Sequence, residues 1–192
     1  MSKLILASKS PRRKELMQKF AAEFVCEPAE GEETVPAGTP ACDIPRVLSY
    51  QKAKEIYDRH AGEDVTVIGS DTVVICDGEI FGKPKDEEDA AQMLRALSGK
   101  THQVATGVTI LSKDFSENFT SVTDVTFFPL TEEQIRAYVA TGEPMDKAGA
   151  YGIQGQGALL VKSINGDYYT VVGFPVGEVA ARLAKNGVIS WT

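Results

Sequence analysis

The chain has 192 residues, 43% hydrophobic and 24% charged, which are ordinary values for a globular protein with one well-buried core or two lobes that share a sheet. Its net charge of -7 argues against bulk nucleic-acid binding, which needs a broad basic surface, although a local basic cluster can still hold a small anion. No run approaches the roughly 20 apolar residues of a membrane span, and the three cysteines form no short-spaced pair. We therefore expect a cytoplasmic protein with no membrane partner and no disulfide framework. The net charge adds the expectation of no nucleic-acid partner.

The first predicted elements are a buried strand over residues 4–7 and a helix that follows Ser10. Ser10 suits the N-cap, and Pro11 suits the first helical position because proline lacks the N–H that would be unpaired there. Residues 12–14 are Arg, Arg and Lys, placed where the helix dipole disfavours positive charge by about 0.3–1 kcal/mol per charge. A bound phosphate would offset that cost. A solvated basic helix end is the alternative, and these residues alone leave both open.

Strands and helices alternate along the rest of the chain. Further strands are expected over residues 24–26, 65–76, 79–81, 103–111, 119–128, 158–164 and 168–172. Further helices are expected from Asp43 to about Gly62, from Asp86 to Gly99, from a capping box at Thr131 and Gln134 to Gly142, and over residues 175–184. The dipeptides at 77–78 and 165–166, Asp-Gly and Asn-Gly, are hairpin signals. The pattern predicts a single α/β domain over residues 1–192 with a mixed sheet flanked by helices.

Asp71 is the sharpest candidate for chemistry, because it interrupts a run of β-branched residues. An ionised carboxylate there is costly to bury unless it is paired, hydrogen-bonded or bound to a metal. It is therefore a candidate general base or metal ligand, with a structural carboxylate as the alternative. Glu30, Glu32 and Glu33 are candidate oxygen ligands for magnesium, although a solvated acidic loop is the commoner explanation. Lys83 follows the predicted hairpin; alone, such a lysine is more often a surface residue.

A run over residues 146–157 contains four glycines, and it matches neither G-x-G-x-x-G nor the P-loop pattern. A Rossmann dinucleotide enzyme and a P-loop NTPase are therefore both poor fits. Gln154 lies among these glycines, and its amide offers both a donor and an acceptor to a base edge. From the residues alone, we expect an α/β protein that binds a phosphorylated small molecule with a divalent metal.

Six short blocks, taken in order, resemble the Maf family of nucleoside triphosphate pyrophosphatases over nearly the whole chain. They are SKSPRR at 8–13, QKAK at 51–54, GSDT at 69–72, GKP at 82–84, LSG at 97–99 and DKAGAYGIQG at 146–155. The resemblance implies a fold like that of inosine triphosphatases, with an elongated mixed sheet and a central cleft between two lobes. It also implies hydrolysis of a nucleoside triphosphate to the monophosphate and pyrophosphate, with Mg²⁺ or Mn²⁺. The family further suggests a homodimer.

Carried over residue by residue, the resemblance implies a role for nine positions. Asp71 would accept a proton, Glu33 would assist catalysis through metal or water, and both carboxylates would hold the metal. Lys83 would assist catalysis at the phosphates. The remaining substrate-binding positions would be Ser8, Arg12, Arg13, Lys52, Thr72 and Gln154.

Two subgroups of the family differ at three of these positions. The subgroup that acts on dTTP and UTP carries Arg, Thr and Gln, as do Arg12, Thr72 and Gln154, whereas the 7-methyl-GTP subgroup carries Trp, Gln and Glu. The resemblance therefore implies dTTP, UTP and modified pyrimidine nucleotides as substrates. The alternatives are a nucleotide-binding regulator of septum formation with little turnover, and a 7-methyl-GTP pyrophosphatase.

Overall fold

A computed structural model describes residues 2–191, in which strands and helices alternate. The strands are β1 (Lys3–Ala7), β2 (Val25–Cys26), β3 (Val65–Cys76), β4 (Glu79–Phe81), β5 (Thr101–Ser112), β6 (Ser116–Phe127) and β7 (Val161–Asn165). The helices are α1 (Pro11–Met17), α2 (Ile44–Arg59), α3 (Glu87–Leu97), α4 (Glu132–Val139), α5 (Tyr168–Val172) and α6 (Val176–Lys185). Short 3₁₀ turns cover Ala41–Asp43, Glu143–Asp146, Ala148–Ala150 and Gly155–Leu160.

The strands form one seven-stranded sheet in the order β2-β1-β3-β5-β6-β7, and β4 pairs with β3. β1 is parallel to both β2 and β3, whereas β4 is antiparallel to β3 and β7 is antiparallel to β6. The predicted mixed sheet is therefore confirmed. The predicted hairpin at residues 77–78 is also confirmed, since Cys76 pairs with Glu79 across it.

The chain divides into two compact units, which are described separately. The first consists of Met1–Asp71, Thr106–Ser121 and Gly173–Thr192, and the second of Thr72–Ala105 and Val122–Val172. β3 passes from the first unit into the second immediately after Asp71. The expectation of a single domain over the whole chain stays a prediction.

In the first unit, α2 lies against the sheet through its Ala53 and Ile56 side, and both residues are fully buried. Two glycines allow this approach. A Cβ built on Gly69 of β3 would lie 2.3 Å from the carbonyl oxygen of Ser49, and one built on Gly107 of β5 would lie 2.2 Å from that of Pro45. The absence of a side chain at Gly69 therefore sets how close α2, which carries Lys52, comes to β3, which carries Asp71, and its absence at Gly107 sets the approach of α2 to β5.

In the second unit, α3 and α4 pack on a core that includes Leu94, Leu97, Val125 and Phe127. The predicted caps are confirmed. The Asp86 side chain accepts the N–H at the start of α3, and Thr131 forms a capping box at the start of α4. His102 is buried beside this core with its Nε2 2.8 Å from the Tyr151 hydroxyl, and burial lowers the pKa of His102 to about 4, so its imidazole is neutral at pH 7.

The predicted pair of strands around residues 165–166 is wrong in its second half. Residues 158–160 lie in a 3₁₀ turn, β7 begins only at Val161, and Tyr168–Val172 is the helix α5. The cause is Asp167, whose carboxylate accepts hydrogen bonds from the Thr170 N–H at 2.6 Å and the Thr170 hydroxyl at 2.8 Å. This is the bonding of a helix N-cap, and it overrides the strand propensity of the tyrosines and valines that follow.

Other predicted elements differ only at their ends. β2 is limited to Val25–Cys26, and α2 ends at Arg59 rather than near Gly62. Asp43 occupies the N-cap position of α2 but makes no side-chain capping bond; it forms an ion pair of 3.2 Å with Arg46 instead. None of the helices within residues 2–191 combines the length and the apolarity that a membrane span requires.

Candidate active site

Lys52 brings together the two carboxylates that the resemblance assigns to catalysis. Its ammonium nitrogen lies 2.5 Å from Asp71 Oδ1 and 3.0 Å from Glu33 Oε1. The side chains of Lys52 and Asp71 are only 19% and 15% exposed, whereas that of Glu33 is 48% exposed, so the group opens to solvent on the Glu33 side. We call these three residues the Lys52 cluster. All of them belong to the first unit.

The loop that carries Glu33 is fixed to α2 on both sides of that residue. The carboxylate of Glu55 accepts the backbone N–H groups of Glu30 at 3.0 Å and Gly31 at 2.9 Å. These donors lower the pKa of Glu55. On the other side, the Gln51 side chain accepts the Thr34 N–H at 3.0 Å and donates to the Thr34 carbonyl at 2.5 Å.

Neither Gln51 nor Glu55 was given a role from the sequence, although Gln51 begins the QKAK block. The available signal is their spacing, since they lie four residues apart on one helix and flank Lys52. They hold Glu33 within reach of Lys52, so the acidic loop is built into the first unit at this point and is not simply a solvated cluster.

The turn before α1 is organised by two serines. Ser10 is the N-cap, with its hydroxyl 3.4 Å from the Arg13 N–H, and Pro11 is the first helical residue, as predicted. The Ser8 hydroxyl in turn accepts the Ser10 N–H at 3.1 Å. Ser8 therefore shapes this turn, and its contact with phosphate stays a prediction.

Arg13 fastens α1 to the residue that precedes Asp71. Its guanidinium donates to the carbonyl of Gly173 through Nε and to the carbonyl of Ser70 through Nη1, both at 2.8 Å. The Ser70 hydroxyl also donates to the Gly173 carbonyl, at 3.2 Å. Burial lowers the pKa of Arg13, while the negative charge of Asp71 acts in the opposite direction. This anchoring role was not anticipated; the contact of Arg13 with the substrate stays a prediction.

Removal of the neighbouring cations Arg13 and Lys14 should therefore change the stability of the protein by very different amounts. We expect Arg13→Ala to lower the free energy of unfolding by about 3 kcal/mol, because two charge-assisted hydrogen bonds are lost, and to reduce turnover through displacement of Ser70 and Asp71. Lys14 is exposed, so Lys14→Ala should change stability by less than about 0.5 kcal/mol. Urea unfolding of both variants measures the difference, and equal losses would contradict the anchoring role.

The other predicted site residues belong to the second unit. Thr72 follows Asp71 on β3, Lys83 is exposed just after β4, and Gln154 is exposed directly before the 3₁₀ turn Gly155–Leu160. The turn that carries Lys83 is tied to the glycine-rich run, since Gly149 donates its N–H to the Gly82 carbonyl at 3.0 Å. The structure thus places six of the nine predicted residues in the first unit and three in the second.

The Lys52 cluster contains two carboxylates that a metal ion could use as ligands. Among residues 2–191, no three His, Cys, Asp or Glu side chains stand close enough together to ligate a metal ion by themselves. Glu33 and Asp71 nevertheless direct one oxygen each to a single cationic nitrogen. Mg²⁺ is commonly held by one or two carboxylates together with substrate phosphates and waters. Glu33 and Asp71 are therefore the residues that could hold a divalent cation together with a phosphorylated ligand.

Comparison with known proteins identifies the family to which this site belongs. A family model described as Maf-like protein matches residues 3–186, which is nearly the whole chain. The chain belongs to the Maf family. This Maf protein is 50% identical over 185 residues to a dTTP/UTP pyrophosphatase from Bacillus cytotoxicus, and the alignment covers 96% of each chain. It is 49% identical to a dTTP/UTP pyrophosphatase from Agathobacter rectalis, covering 98% of this chain and 99% of the relative.

A solved structure supports the fold. The Ham1 protein of Staphylococcus aureus matches this Maf protein with a TM-score of 0.53 and 14% sequence identity, covering 96% of this chain and 99% of the other. This likeness confirms the expected fold class, a mixed α/β fold of the inosine triphosphatase type.

Proposed function

We propose that this Maf protein hydrolyses dTTP and UTP to the nucleoside monophosphate and pyrophosphate. The observation that carries the proposal is the Lys52 cluster, in which a carboxylate in the middle of β3 and a second carboxylate on a tethered loop share one ammonium. Two relatives that are about 50% identical over nearly their whole length are named dTTP/UTP pyrophosphatases. Arg12, Thr72 and Gln154 agree with the subgroup that acts on these nucleotides.

In the proposed reaction, Asp71 is the general base. A water oxygen attacks the α-phosphorus and transfers a proton to the Asp71 carboxylate, and the bond from the α-phosphorus to the bridging oxygen breaks as pyrophosphate leaves. Lys52 holds this carboxylate in place at 2.5 Å, and Arg13 fixes the preceding residue through the Ser70 carbonyl. The base is therefore held in one position before substrate binds, which lowers the cost of reaching the reactive geometry.

Cationic and hydroxyl groups would bind the triphosphate. We assign Ser8, Arg12, Arg13, Lys52 and Lys83 to this task. Positive side chains stabilise the negative charge that develops on the leaving pyrophosphate, and this kind of stabilisation is usually the largest single contribution to phosphoryl chemistry. Glu33 and Asp71 would hold the divalent cation, Mg²⁺ or Mn²⁺, which supplies further positive charge to the phosphate oxygens.

The nucleobase of the substrate would be recognised by polar side chains. Gln154 offers a donor and an acceptor on one amide, and Thr72 offers a hydroxyl. Binding of a nucleobase that leaves such a group buried and unpaired is disfavoured, since an unsatisfied polar group costs about 1–3 kcal/mol. We therefore propose these two residues as the source of pyrimidine selection. The cytoplasmic location expected from the sequence and the homodimer suggested by the family stay predictions.

A screen of nucleoside triphosphates tests the proposed function. The purified chain is incubated with each nucleotide and Mg²⁺, and pyrophosphate release is followed with a coupled pyrophosphatase. We expect kcat/KM for dTTP and UTP to exceed that for the other nucleotides by at least about tenfold, equivalent to about 1.4 kcal/mol. A preference for 7-methyl-GTP would overturn the substrate assignment. Tight UTP binding without turnover of any nucleotide would show that the protein is a nucleotide-binding regulator and not an enzyme.

A further inference from the structure

The glycine-rich run of the second unit wraps around a carboxylate of its own chain. Glu143 accepts three hydrogen bonds on its side chain, from the Gln156 N–H at 3.0 Å, the Gly157 N–H at 3.1 Å and the Tyr138 hydroxyl at 2.9 Å. These N–H donors help to lower the pKa of Glu143 despite its partial burial. The run thus resembles a phosphate-binding loop in its use of backbone N–H groups, but the anion that it holds is Glu143.

Tyr138 extends the same contact to the other end of the run. This α4 residue is only 4% exposed, and its hydroxyl oxygen accepts the Gly152 N–H at 3.1 Å while it donates to Glu143. The segment over residues 152–157 is therefore fixed at Gly152 through Tyr138, and at Gln156 and Gly157 through Glu143.

The conformation of this segment requires glycine at two positions, 155 and 157. Gly155 has a φ of +66°, and a Cβ built on it would lie 2.7 Å from Oε2 of Glu143. A Cβ built on Gly157 would lie 2.0 Å from the Gly152 carbonyl oxygen. Glycine is therefore required at 155 by its positive φ and the nearby Glu143 carboxylate, and at 157 by the nearby Gly152 carbonyl.

Gln154 lies at the centre of the fixed segment. It is exposed, whereas the preceding Ile153 is 9% exposed and the following Gly155 contacts Glu143. We infer that Glu143 and Tyr138 are positioning residues for nucleotide selection. They hold the segment over residues 152–157 so that the Gln154 amide meets the nucleobase in one orientation. The inference rests on the proposed function, in which Gln154 contacts the base. Fixing this segment in advance removes an ordering cost from substrate binding.

The main test is Glu143→Gln, which keeps the shape of the side chain but presents an amide donor to a backbone donor. We expect KM for UTP and dTTP to rise about tenfold, the preference over other nucleotides to fall by a similar factor, and kcat to stay within threefold. Tyr138→Phe should act in the same direction more weakly. Glu133→Gln makes the same chemical change on the exposed side of α4 and should leave all three parameters unchanged.

A double-variant cycle separates positioning from general damage. If Glu143 acts through Gln154, Glu143→Gln should change KM less than twofold in a Gln154→Ala background, because the amide that it positions is already absent. An unchanged KM in the Glu143→Gln variant, or an equal change of KM in both backgrounds, would overturn the inference. The proposed function would still stand if the unaltered protein hydrolyses dTTP and UTP. Absence of that turnover in the unaltered protein would overturn both.

Discussion

Replacing Asp71 with asparagine should reduce pyrophosphate release from dTTP by about a thousandfold while the fold is retained. The asparagine amide has nearly the same size as the carboxylate but cannot accept the proton of the attacking water. Lys52 keeps a carboxylate partner in this variant, since Glu33 lies 3.0 Å from its ammonium. The loss should therefore appear in kcat, measured by the coupled assay, and the thermal unfolding midpoint should change little.

Asp64→Asn is the matched control for this experiment. Asp64 is exposed and pairs with the exposed Lys113 at 3.4 Å, so its replacement removes the same charge from the first unit without touching the Lys52 cluster. Its kcat/KM should stay within about twofold of that of the unaltered protein. Turnover by Asp71→Asn within tenfold of the unaltered rate would show that another group takes the proton.

The features that the sequence predicted well are those that depend on near neighbours. The capping box at Thr131, the N-cap at Ser10 and the hairpin at residues 77–78 all involve partners within four positions along the chain, and all are present. Tyr168–Val172 is an exception, because its cap is equally local and was still missed. Its residues favour a strand one by one, but the preceding Asp167 offers a capping carboxylate, and the segment is a helix.

The candidate site was predictable in its residues but not in its contacts. Lys52 and Lys54 lie two positions apart on the same helix, and neither pattern nor composition indicates which one meets Asp71. The structure distinguishes them, since Lys52 joins Glu33 and Asp71 whereas Lys54 pairs with Asp58 on the surface of α2. The contacts of Arg13 with the Ser70 and Gly173 carbonyls are equally invisible in the sequence, because main-chain acceptors carry no residue-type signal.

Gly69→Ala should destabilise the first unit by about 3 kcal/mol or more and reduce turnover at the same time. The added Cβ would lie 2.3 Å from the Ser49 carbonyl oxygen and 2.8 Å from the Ala53 nitrogen, both of which are main-chain atoms of α2. No side-chain rotation relieves such contacts, so α2 must move away from β3. Lys52 lies between Ser49 and Ala53 on this helix, and its displacement would separate it from Asp71.

Gly177→Ala provides the control, because a Cβ built on this α6 residue meets no atom of the described chain within 4 Å, beyond its neighbours and its own helix. Alanine is also the better helix former, so this variant should be neutral or more stable by up to about 1 kcal/mol. Urea unfolding measures both variants. An unfolding midpoint for Gly69→Ala equal to that of the unaltered protein would mean that α2 can retreat from β3 without cost, and that the Lys52–Asp71 contact does not depend on the glycine beneath it.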